Sequence, residues 1–167
     1  LDGSLAPVAR LYQAKAKRRS GKGKEALPIL DVLIEAETDP SVRKQAIIEK
    51  LETLIVIGES GEPDQFEEAE KLAEFMMSEY SDHESQFQTA YLIAKIRERV
   101  GDFEGAIAAG YEAMSIGDLE MREISHPNSL GWLYRLGFTT IHLLEETGRN
   151  EAAVKIAERL GATRGER

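Results

Sequence analysis

Four stretches of the chain repeat one pattern, and that recurrence limits the fold more than any single segment does. Ser20 to Leu33 reads SGKGKEALPILDVL, and Asp64 to Met77 reads DQFEEAEKLAEFMM. Val100 to Ala113 reads VGDFEGAIAAGYEA, and Thr147 to Leu160 reads TGRNEAAVKIAERL. Each has a turn, an acidic residue, a small residue and then an apolar helix. The shared small residues are Ala26, Ala69, Ala106 and Ala153, separated by 43, 37 and 47 residues. Self-similarity at such a period is the mark of stacked supersecondary units. The pattern has a physical cause: glycine permits the tight turn, and alanine lets two antiparallel helices come close.

The elements between the turns read as helices. Ala69, Leu72, Ala73, Met76 and Met77 recur at helical spacing, with Glu67, Glu68, Glu70 and Glu74 between them. Period-2 alternation bounded by turn residues is weak, and good helix formers dominate. Breaks are expected at Ser20 to Gly23, Thr38 to Pro40, Gly58 to Asp64, Ser81-Asp82, Gly101-Asp102, Gly117-Asp118, Ser125 to Pro127 and Gly148-Arg149. They divide the chain into about eight segments of roughly 12 to 20 residues, an ordinary helix length. Asp39-Pro40 and His126-Pro127 read as helix starts. Pro28 is expected just inside a start, where a missing N–H matters little.

Composition excludes several classes of function. The chain has 167 residues, a one-domain length, with 42% hydrophobic and 31% charged residues. Aromatics are only 7%, so Leu, Ile, Val, Ala and Met must build the core. No cysteine is present, which removes disulfides, thiolate zinc sites, iron–sulfur clusters and cysteine nucleophiles, and leaves cytoplasm and periplasm equally open. A net charge of −9 disfavours nucleic acid as partner. No run approaches the roughly 18 apolar residues of a membrane span, so no membrane insertion is expected. The first residue is Leu1 rather than Met, and the tail Gly161 to Arg167 is too short and polar to close a helical array. The expectation is therefore one domain over 1–167 that is part of a longer chain.

The repeated stretches resemble the tetratricopeptide repeat family. Gly101-Asp102-Phe103-Glu104 is similar to the family's Gly-Asp-Tyr-(Asp/Glu) turn, and Ala94, Ala106 and Ala113 fall at its small positions. Gly148 to Ala153 is a second match, and Gly21 with Glu25-Ala26-Leu27 a third. The second unit departs, because Gly58 to Pro63 reads as an insertion in its turn. The family's usual Trp and Tyr in the first helix are mostly missing. The resemblance implies an all-α, right-handed superhelical solenoid of antiparallel helix pairs, in units of roughly 5–39, 40–82, 83–118 and 126–161. It also implies a non-catalytic scaffold that binds a protein or peptide partner in a concave groove, with a homo-oligomer as a further possibility and no cofactor.

The resemblance further implies which side chains line the groove. In the first unit these are Val8, Leu11, Lys15, Arg18 and Arg19. In the third they are Gln88, Tyr91, Lys95, Glu98 and Arg99, and in the fourth Arg135, Phe138, His142, Glu145 and Glu146. Helical geometry agrees within one helix, since Tyr91, Lys95 and Arg99 share a face. The family's carboxylate clamp is not matched, because Gln88 and Leu92 stand where basic residues are wanted. The alternative is an accessory or self-association module of a larger envelope or regulatory protein.

Other readings of single features are weaker. Residues 1 to 24 carry a balance of +6 and the remainder −15. That basic end could grip an acidic partner, but it reads better as a first helix facing acidic neighbours. Single-strand binding also favours stacking platforms, and Tyr12 stands alone there. His83, His126 and His142 lack the spacing of a zinc site. Gly21 to Lys24 fails as a phosphate loop, because Arg18 and Glu25 occupy the places of its first Gly and its Ser or Thr. Glu67-Glu68 and Glu145-Glu146 read as solvated pairs rather than acid–base catalysts. Met76, Met77, Met114 and Met121 read as core. Trp132 is expected to pack between the third and fourth units.

Overall fold

The computed structural model describes residues 5–36, 39–120 and 126–165. They form eight α-helices and no strand. In order these are α1 (Leu5–Arg19), α2 (Gly23–Ala36), α3 (Pro40–Glu59), α4 (Asp64–Glu79), α5 (His83–Arg99), α6 (Phe103–Glu120), α7 (Pro127–Glu146) and α8 (Asn150–Gly165).

Local chemistry sets the starts. Asp39 caps α3, its Oδ1 accepting from the Ser41 N–H at 2.8 Å, with Pro40 in the first turn. Asp82 caps α5 through the Ser85 N–H at 3.0 Å, and the Ser85 hydroxyl returns a bond to the other carboxylate oxygen at 2.7 Å. His126 precedes Pro127 without a side-chain cap.

The ends share one device. Gly21, Gly61, Gly101 and Gly148 all have positive φ, which an L side chain resists. Around three of them the closing bonds are the same. The N–H groups of Gly101 and Asp102 donate to Glu98 and Arg97 carbonyls at 3.1 and 2.8 Å. Those of Gly148 and Arg149 donate to Glu145 and Leu144, and those of Gly21 and Lys22 to Arg18 and Lys17. These glycines fix a common register for α1, α3, α5 and α7, with successive spacings of 40, 40 and 47 residues.

That register corrects the expected second unit. Gly58 is not part of a turn; α3 runs through it to Glu59. No insertion is needed, and the residue matching Ala26, Ala106 and Ala153 is Phe66 rather than Ala69. The small residue has changed helix: a Cβ on Gly58 would lie 2.8 Å from the Phe66 ring, so glycine in α3 makes room for the aromatic in α4. Three further expectations change. Gly117-Asp118 breaks nothing, as α6 continues to Glu120. Pro28 is the sixth residue of α2, past the first turn. Gly161 to Gly165 continue α8. Met121 and residues 1–4, 37–38, 122–125 and 166–167 lie outside the described residues.

The chain divides into two compact units, Leu1–Leu72 and Ala73–Arg167, the division falling inside α4. In the first, α1 packs on α2 and α3, and α2 on α3. Leu11, Ala14, Ala26, Leu30, Leu33, Val42 and Ala46 form a core there. In the second, α5 packs on α6 and α7, α6 on α7, and α7 on α8. Its core centres on Phe87, Leu136, Leu143 and Leu144, with Met114 buried as expected. Close helix approach is bought with glycine: a Cβ on Gly110 would collide with the Thr140 hydroxyl, and one on Gly137 with Leu160.

Candidate functional site

The second unit places an aromatic pair between two cations. Tyr91 and Lys95 are one turn apart on α5, and Trp132 and Arg135 one turn apart on α7. The Tyr91 and Trp132 ring centroids lie 5.7 Å apart at a 48° tilt. The Lys95 Nζ lies 5.9 Å from the Tyr91 centroid, and the Arg135 Cζ 4.6 Å from the Trp132 centroid. Contacts of this kind contribute roughly 0.5–1 kcal/mol at exposed sites. Among the described residues neither cation has a carboxylate partner. Beside them opens a cavity of 360 Å³, lined by Glu84, Pro127, Asn128, Gly131, Trp132 and Arg135. His126 Nδ1 stands 4.0 Å from Glu84 at its rim.

Chemically, this face offers flat π surfaces and two unneutralised positive charges on a chain of net charge −9. It can hold an anionic group over an aromatic floor. Among the described residues, no three His, Cys, Asp or Glu side chains cluster to hold a metal. No described helix is long and apolar enough to cross a membrane.

The residues expected to line a groove separate into distinct environments. Leu11 is 2% exposed and belongs to the first unit's core, so it is no surface contact. Gln88 is 8% exposed and likewise withdrawn. Lys15 stays with its own helix, 5.6 Å from the Tyr12 ring. Arg18 is committed internally, its Nε 2.5 Å from Glu49 and its Nη2 2.6 Å from Glu52. Burial would lower the Arg18 pKa, but the Glu49 hydrogen bond and the charges of Glu52 and Glu49 outweigh it and raise the pKa. Arg19 and Arg99 are exposed, Arg99 3.7 Å from Glu98. Phe138 is 64% exposed, and His142 lies 3.4 Å from Glu146. Of the expected set, Tyr91, Lys95 and Arg135 come together.

The basic first helix meets acidic neighbours, as its sequence implied. Besides Arg18, Lys17 pairs with Glu25 at 2.5 Å, and nearby Lys24 pairs with Glu62 at 2.7 Å. The Lys17 hydrogen bond holds the Glu25 carboxyl below its usual range.

Sequence reasoning missed Trp132 as a site residue and treated it as packing alone. It does pack, against the second unit's core, yet it also supplies the floor under Arg135. The available signal was its spacing of three from Arg135, which puts both on one face of α7. Glu84 and Asn128 carried no signal.

No protein-family model, no curated protein and no solved structure matches the chain.

Proposed function

We propose that the chain is a non-catalytic scaffold whose helix pairs stack as a tetratricopeptide-like solenoid, and that it binds a carboxylate-bearing segment of another protein. The observation that carries this reading is the Lys95–Tyr91–Trp132–Arg135 array: two cations resting on rings, neither in an ion pair among the described residues, beside an open cavity that Glu84 also lines. The common glycine turns and the neighbour-to-neighbour packing within each unit support the repeat reading. A carboxylate drawn to the two cations would keep its attraction on a partly desolvated aromatic floor better than in open water.

The test is to pan a displayed random-peptide library on the wild-type chain and on a Lys95→Glu, Arg135→Glu double variant. Peptides enriched on wild type should carry Asp or Glu, and should bind the variant at least about tenfold more weakly. An Arg19→Glu variant should bind them as wild type does. Peptides that hold equally to wild type and to a folded double variant would remove the site from this face.

A further inference from the structure

Two helix faces are uncovered that the chain covers everywhere else. With the four turn glycines as reference, Leu11, Leu51, Tyr91 and Phe138 are equivalent, each ten residues before its glycine. Leu11 and Leu51 are buried and Tyr91 is half-buried, but Phe138 is 64% exposed. The opposite face shows the converse. Ala9, Gln13 and Ala16 of α1 are exposed, with Tyr12 beside them at 66%. Their equivalents Thr89, Ile93 and Ile96 in α5, and Leu136, Thr140 and Leu143 in α7, are all buried. Thus, among the described residues, one side of α7 and the opposite side of α1 stay uncovered.

We infer that these two faces bind each other between copies, α1 of a second copy docking on α7 of the first in a head-to-tail contact. The way α7 sits on α5 supplies a template. Glu84 lies beside His126, and Tyr91, further along α5, beside Trp132, so the two helices run in the same direction. Repeating that offset on the outer side of α7 sets the first turn of α1 against Phe138. It sets Arg10 beside His142, one turn before Glu145 and Glu146, and Tyr12 beside Glu145.

Charge favours the match. α1 contains Arg10, Lys15, Lys17, Arg18 and Arg19 and no acidic residue. Lys17 and Arg18 are neutralised within the chain, whereas exposed Arg10 has no ion pair among the described residues. α7 ends on Glu145 and Glu146, where the helix dipole is also negative. Exposed Ala9 and Ala16 allow a helix to approach closely. The contact joins two different surfaces, one on α1 and one on α7, so it is heterologous.

Sedimentation equilibrium tests this inference, with circular dichroism to show that each variant is folded. The wild-type mass should rise with concentration from 18.6 kDa. Phe138→Asp spoils the α7 face, and Arg10→Glu with Tyr12→Asp spoils the α1 face. Each variant alone should weaken association at least about tenfold. An equimolar mixture should recover association and stop at twice the monomer mass, because it retains one good face of each kind. A wild type that stays at 18.6 kDa to about 1 mM, a range that includes weak association, would overturn the inference. So would a plateau at the dimer with no recovery in the mixture. The Arg10→Glu, Tyr12→Asp variant leaves the helix faces of Tyr91, Lys95, Trp132 and Arg135 unchanged, so its peptide binding reports separately on the proposed function.

Discussion

The two units handle their charges differently. In the first, half-buried cations reach carboxylates: Arg18 meets Glu49 and Glu52, and Lys50 meets Asp31 at 2.9 Å and Glu68 at 3.0 Å. In the second, Lys95 and Arg135 lie on rings, Arg97 donates to the Gly105 carbonyl at 3.1 Å, and Arg159 to the Met114 carbonyl at 3.1 Å. Arg149 with Glu104 is an exposed pair. The same helix-pair pattern can therefore be tied by ion pairs or by rings and carbonyls. In the second unit, Lys95 and Arg135 keep charge to spare for another molecule.

The sharpest way to break the comparison is to attack each unit through the chemistry that holds it. Phe87→Ala removes a fully buried ring from the second unit and should lower unfolding free energy by about 3–5 kcal/mol in urea titrations. Arg18→Ala strips buried Glu49 of its partner in the first unit, with an expected loss of about 2–3 kcal/mol. Arg135→Ala in the second unit should cost about 0.5–1 kcal/mol while weakening peptide binding. Equal losses from Arg18→Ala and Arg135→Ala would dissolve the distinction. Gly58→Ala tests the exchanged small residue. Its methyl would press on Phe66 and should destabilise by about 1–2 kcal/mol, the overpacking outweighing the better helix propensity.

The smallest effect concerns pH. Burial would lower the Lys50 pKa, but hydrogen bonds to Asp31 and Glu68 prevail and raise it. A folded pKa above the unfolded one gives stability that is complete below the ordinary lysine pKa. That stability fades as pH rises through the folded value. Urea titrations at neutral pH and above the ordinary lysine range should differ more for wild type than for Lys50→Met. The difference should be within about 1 kcal/mol, because both acidic partners are solvated.

Much of the fold was legible because its signals are local. Asp39-Pro40 marked the start of α3, and the glycines at 21, 101 and 148 marked turns whose backbone only glycine adopts easily. Gly58 misled for a physical reason: glycine inside a helix and glycine in a turn look alike in one dimension, and only the Phe66 ring tells them apart. The candidate site was less legible. Leu11 and Phe138 hold the same register position, yet one is core and the other surface, because exposure depends on which helix packs alongside. Helical spacing could pair Tyr91 with Lys95, but it could not bring Trp132 across from α7.

Trp132 is the chain's only tryptophan. Its ring lies under the Arg135 guanidinium and beside the Tyr91 phenol, and both neighbours perturb indole emission. The chain thus carries its own optical reporter at the proposed site. A ligand that draws Arg135 away or covers the ring would change the emission of the one indole, with no label attached, when excitation is set to the red edge where the five tyrosines absorb little.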